Sequence, residues 1–164
     1  MFERLRTTDD LFTFRLGSLL SAEHDSLDML GVLEAAVTRP ELKRLFSEHA
    51  KETRQQIANV ERCFEILGKP IGDSPSPTTK GLAEEATSLM RKTDDSLIDA
   101  IALSGGLETE HYEIATYTTL IDMADAQDLS EITVLLEANL AQEKEASEKL
   151  AAAAKRVTHQ SSAA

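Results

Sequence analysis

The run ETEHYEIATY, Glu108 to Tyr117, places three glutamates and a histidine within six residues and then turns apolar. It lies inside a longer stretch, DDSLIDAIALSGGLETEHYEIATYTTLIDMADA (94–126), whose apolar residues recur every three or four positions. That is the period of one face of an α-helix. On this period Glu110 falls on the inward stripe with Glu113 beside it, whereas Glu108 points to solvent. Inward carboxylates have two explanations, a metal site between helices or an ordinary polar seam.

Working outward, the same period recurs in three other long segments. Residues 9–37 read as one helix, capped by Thr8 or Asp9, with Leu11, Phe12, Leu16, Leu19, Leu20, Leu27, Leu30 and Leu33 on its stripe. Pro40 suits the first turn of a second helix, 40–67, with Thr38 as its cap and Gly68 as its stop. GKPIGDSPSPTTKG (68–81) is the clear loop, followed by a short helix at 80–91. The next helix, 96–125, is expected to run through Gly105 and Gly106, although each disfavours helix by about 1 kcal/mol relative to Ala. The last, 129–155, opens at Ser130, and residues 158–164 (THQSSAA) read as a frayed tail. The fold class is therefore all-α: an antiparallel four-helix bundle with an extra short helix, in one domain over residues 1–157.

Composition agrees. Of 164 residues 41% are hydrophobic, 4% are aromatic, and there is no Trp. The formal charge of -12 repels phosphate backbones and anionic lipid, so no nucleic-acid or membrane partner is expected. No run approaches the roughly 20 apolar residues of a membrane span, and the first ten residues lack the apolar core of a signal peptide. A single cysteine, Cys63, fits a reducing cytoplasm and small-residue core packing.

Each long stripe is apolar at both ends and polar near its middle. The first runs Leu16, Leu20, Glu23, Leu27, Leu30, and the second His49, Glu52, Gln56, Val60, Cys63. The third carries Glu110, Glu113 and Tyr117, and the fourth Asn139, Glu143 and Ser147. These interruptions fall at similar heights in an antiparallel bundle. Buried carboxylates at one level would repel each other or take up protons, and a cation between them removes both costs.

Four segments resemble the YciE/YciF-type ferritin-like bacterial stress proteins: LFTFRLGSLLSAEHDSLDML, PELKRLFSEHAKETRQQIANVERCFEILGKP, EHYEIATY and LEANLAQEKEASEKL. They occur in order over 10–150, nearly the whole chain, and EHYEIA is the most specific. The resemblance implies a ferritin-like bundle, a homodimer, a link to stress and a dinuclear Fe or Mn layer. Its metal ligands would fall on Glu23, Glu52, Glu110, Glu113 and Glu143. Two further ligand positions depart from the family pattern, with Gln56 in place of a His and Ser147 in place of an Asp, so the layer is expected to be degenerate or empty. His49, one turn before Glu52, is a candidate replacement or accessory ligand, as is Gln56 itself. His24 and His111 should flank the site, His159 lies in the tail, and Tyr112 and Tyr117 read as core packing. The function expected is a stress-associated ferritin-like protein of unestablished activity. The alternative is a di-iron or di-manganese redox enzyme, a ferroxidase or a consumer of peroxide, working with the same carboxylates. An interaction module acting through its acidic exterior and a dimer face is a third reading.

Overall fold

The computed structural model describes residues 4–72 and 74–161. Their elements are α1 (Thr8–Ala36), α2 (Pro40–Leu67), α3 (Pro77–Met90), a 3-10 turn (Asp95–Leu97), α4 (Ile98–Asp125) and α5 (Ser130–Ser161). Among the described residues there is no strand. The expected four long helices and one short helix are all present.

The ends differ from expectation for local reasons. Thr7, rather than Thr8 or Asp9, caps α1: its hydroxyl accepts from the Asp10 N–H while the Asp10 carboxylate accepts from the Thr7 N–H, both at 3.0 Å. Asp9 instead receives the Lys69 ammonium, tying the start of α1 to the end of α2. Arg39, not Thr38, is the cap residue of α2. Thr38 turns to Asp99, donating its N–H at 2.7 Å and its hydroxyl at 3.0 Å. Arg39 Nε lies 3.1 Å from the same carboxylate, so the α1–α2 turn is fastened to the start of α4. Gly68 ends α2 as expected, at a left-handed φ of 64°. The short helix begins at Pro77, three residues early, because proline fits a first helical turn. The last helix runs to Ser161, past the expected end at 155: Val157 is buried and Gln160 accepts a hydrogen bond from Arg39. Residues 162–164 of the expected tail, like 1–3 of the expected domain, lie outside the described residues.

In the bundle, α1 lies beside α2 and α4, and α5 beside the same two. Cross-helix contacts fix the directions. Glu23, Ser26 and Met29 of α1 meet Tyr117, Glu113 and Thr109 of α4 in reverse order. His49 and Gln56 of α2 likewise meet Glu143 and Asn139 of α5. So α1 and α5 point one way, α2 and α4 the other, and the chain must cross the length of the bundle between α2 and α4. The segment containing α3 makes that crossover. It passes α1 at Gly17, where a Cβ would meet Ser74 Oγ at 2.8 Å, and continues past Asp25, whose carboxylate accepts from Thr79 at 2.8 Å.

Further along, α3 presses on α4. A Cβ at Gly105 would stand 2.9 Å from Ala86 Cβ, and one at Gly106 would stand 3.3 Å from Phe46. The two glycines that weaken α4 by propensity are what allow these approaches, and the helix runs through them without interruption.

The apolar interior forms two clusters, each fed by all four long helices. One gathers Phe12, Leu16, Val60, Phe64, Leu120 and Leu136, the other Leu30, Leu33, Leu42, Phe46, Leu103 and Leu150. Each such side chain contributes roughly 1.5–3 kcal/mol on burial. Between the two clusters lies a polar layer.

Candidate metal centre

Four helices deliver one layer of side chains. Glu23 comes from α1, His49, Thr53 and Gln56 from α2, Glu110 and Glu113 from α4, and Asn139, Glu143 and Ser147 from α5, and all of them are buried. Glu23, Glu110, Glu113 and Glu143 are buried close enough to feel one another's charge, as expected of one layer, and Glu108 is exposed as expected. Glu52 departs from expectation. Its side chain is 32% exposed, and it sits on the rim with its carboxylate 3.2 Å from His49 Nδ1. The buried line of α2 runs His49, Thr53, Gln56, Val60, so Thr53 takes the inward place expected of Glu52.

His49 is more central than its sequence position suggests. Nε2 lies 2.8 Å from Glu110 and 3.9 Å from Glu143, and the three residues each offer one ligand atom within 4.8 Å of the others. Its only sequence signal was the one-turn spacing to Glu52. Tyr117 does more than pack in the core: its buried hydroxyl donates to Glu23 Oε1 and accepts from Asn139. Tyr112 is half-buried, 3.3 Å from Ser76 Oγ, while His24, His111 and His159 are exposed.

The layer is short of hydrogen-bond donors. Glu23 Oε2, Glu110 Oε2, Glu113 Oε1 and both Glu143 oxygens are buried without a partner, as are both ends of the Gln56 amide. A buried polar atom left unsatisfied costs about 1–3 kcal/mol. No Lys or Arg is buried among the described residues, which leaves His49 as the one candidate cation of the layer.

Electrostatics respond accordingly. Burial lifts Glu23 to about 8, with the Tyr117 hydrogen bond opposing and the Glu110 charge assisting. Burial, followed by the neighbouring carboxylates, pushes Glu113 and Glu143 well above the ordinary range. Burial would lower His49, but the hydrogen bonds it donates to Glu110 and Glu52 outweigh it and raise the imidazole to about 9. The His49 hydrogen bond holds the rim carboxylate of Glu52 below its ordinary value. Without a metal, then, the layer remains neutral enough to bury only by retaining protons.

The donor set fits a metal. One imidazole and several carboxylates, buried and lacking donors, form an environment that a divalent Mn or Fe ion satisfies. A narrow cleft between α2 and α5, lined by Glu48, His49, Glu52 and Lys149, runs from the surface to the imidazole. Gln56 and Ser147 occupy the two positions where imidazole and carboxylate were expected. The Ser147 hydroxyl is spent on the Lys144 carbonyl at 2.9 Å.

A family model described as Domain of unknown function (DUF892) matches residues 7–163. Protein YciF of Escherichia coli (strain K12) is 30% identical over 142 residues, covering 85% of this chain and 86% of that protein. The crystal structure of the E. coli stress protein YciF superposes with a TM-score of 0.90 at 29% identity, over 94% of this chain and 99% of that one. Ferritin-like, diiron-carboxylate proteins from Bacillus anthracis str. Ames match with a TM-score of 0.72 at 17% identity, over 92% and 99% of the two chains. At that identity the likeness is one of fold, and the fold is ferritin-like. Among the described residues no helix is long and apolar enough to cross a membrane.

Proposed function

This chain belongs to the DUF892 family, and from that premise we propose that it is a stress-associated ferritin-like protein whose core holds a Mn or Fe ion in a degenerate dinuclear carboxylate layer. The observation that carries the proposal is the set of buried oxygens without donors on Glu23, Glu110, Glu113 and Glu143, gathered around one imidazole. His49, Glu110 and Glu143 would hold the ion, with Glu23 and Glu113 adjoining and Glu52 at the mouth of the cleft. A bound Mn or Fe ion would supply redox chemistry toward oxygen or peroxide. Ligation would displace the proton that His49 Nε2 shares with Glu110 and leave the imidazole neutral. The rim carboxylate of Glu52, 3.2 Å from Nδ1, favours the tautomer with its hydrogen there.

Elemental analysis of protein purified without added metal, followed by anaerobic titration with Mn(II) and Fe(II), tests this. Substoichiometric metal as isolated and saturable uptake lost in His49→Ala are expected. Absence of binding at any concentration, with the fold intact, would refute the proposal.

A second reading, the dinuclear redox enzyme, has one observation in its favour. Four buried carboxylates balance the charge of two divalent ions rather than one, the number ferritin-like di-metal cores hold. Two ions per chain, together with Fe(II) oxidation faster than in buffer, would establish it over the degenerate layer. Homodimer formation and a cytoplasmic setting belong to the same proposal, supported by the family resemblance and by the lone buried Cys63. Sedimentation at two protein concentrations tests the dimer.

A further inference from the structure

Tyr117 lies wholly inside the bundle, and the polar groups around it fix where its proton goes. Asn139 Nδ2 stands 3.2 Å from the Gln56 backbone carbonyl and 2.9 Å from the Tyr117 hydroxyl. A backbone carbonyl can only accept, so the end of the amide facing it must be the NH2 group. Asn59 Nδ2 lies on the other side, 2.7 Å from Asn139 Oδ1, which agrees with that orientation. The phenol oxygen therefore accepts from Asn139, and its own hydrogen is donated to Glu23 Oε1. Glu23 Oε2, by contrast, is buried and has no partner.

We infer that Tyr117, oriented by Asn139, is a positioning residue that engages Glu23 Oε1 and turns Oε2 to the centre, and so biases Glu23 against the two-oxygen chelation that ions needing many oxygen ligands favour. The inference rests on the metal-binding reading above. Ca(II) takes six to eight oxygens and commonly uses both oxygens of a carboxylate. Imidazole suits Fe(II), and Mn(II), although it prefers oxygen, is served by single carboxylate oxygens in an octahedral set. A carboxylate oxygen that already gives one lone pair to a phenol hydrogen is a weaker and less free donor, so the tether disfavours closing a two-oxygen chelate. The tether is thus a selectivity device, set by a residue that need not touch the ion.

The test is a competition between Mn(II) and Ca(II) on the full chain, read by titration and by the infrared difference spectrum of the carboxylates. Tyr117→Phe keeps the ring and removes the tether. The preference for Mn(II) over Ca(II) should fall about ten- to a hundred-fold, the usual scale for groups that orient a metal ligand. One carboxylate band should move from the one-oxygen to the two-oxygen pattern. Unchanged selectivity and unchanged bands in a folded variant would overturn the inference.

Glu23→Gln provides a second route that preserves shape. If the phenol holds its acceptor, the new amide must give its oxygen to Tyr117 and turn its NH2 toward the ion. Mn(II) affinity should then fall at least as far as in Glu23→Ala, and a Gln variant binding more tightly than the Ala variant would overturn the tether. Failure of the parent to bind Mn(II) at all would instead overturn the metal centre itself, and the tether with it.

Discussion

Freed of metal, the protein should lose stability as pH rises, whereas loaded with Mn(II) it should not. The magnitude follows from Glu23. Its carboxyl is lifted from the ordinary 4.5 to about 8 by burial, so between those values the folded chain holds a proton that the unfolded chain releases. A raised folded-state pKa gives stability that is complete below the unfolded value and is lost as pH climbs through the folded one. One such proton costs about 1.4 kcal/mol per pH unit, so from about pH 5.5 to 7.5 Glu23 alone removes nearly 3 kcal/mol. Glu113 and Glu143 are displaced the same way, and His49, raised from 6.5 to about 9, adds the same sign above its unfolded value. Against a total stability of about 5–15 kcal/mol, the effect is large. Metal reverses it, because ligation displaces those protons and tightens as they become easier to remove. Mn(II) at a hundred times its Kd adds about 2.7 kcal/mol. Urea midpoints followed by circular dichroism, in chelator and in excess Mn(II) across this window, should diverge. A chelated midpoint that stays level or rises with pH would refute the reasoning, since it would mean that the layer is already ionised in the folded protein.

Three further outcomes can be checked separately. Gly105→Ala, whose methyl would stand 2.9 Å from Ala86 Cβ, should destabilise by about 1–3 kcal/mol in thermal melts. Gly31→Ala, which meets nothing within 4 Å, should stabilise by about 0.5–1 kcal/mol. The double variant Gln56→His, Ser147→Asp should tighten Fe(II) or Mn(II) about ten- to a hundred-fold in anaerobic titration, the worth of one charged contact of roughly 1.5–3 kcal/mol. Equal affinity would mean that His49 already completes the site. The Cys63 thiol, buried and raised to about 12, should ignore thiol reagents until urea unfolds the chain, and prompt labelling in buffer would contradict the packing described.

The helical period made the four long helices legible, along with the four carboxylates that converge, out of five expected. It could not settle Glu52. Thr53 and Glu52 differ by about 100° of helix rotation, and only the neighbouring helices decide which of the two turns inward. For the same reason Glu113, rather than Ile114, joins the buried line of α4. His49 and Glu110 are 61 residues apart, so their pairing had no local signature. Nor did the grip of Asp99 on Thr38, which took away the cap residue the sequence offered to α2. Tyr117 illustrates a different limit. Its spacing announced a buried ring, but the use of its hydroxyl depends on Asn139 from another helix.

The polar layer has a mechanical consequence for the whole bundle. It separates the two apolar clusters so thoroughly that Leu27 alone of the named hydrophobics packs against both. Each end of the bundle therefore has its own store of cohesion, and without an ion the seam between them is the weakest plane in the molecule. Backbone amides above and below that plane should exchange with solvent as two separate cooperative units when metal is withheld. Once an ion joins α2, α4 and α5 at mid-height, opening either end requires breaking the shared ligation, and the two units should exchange as one.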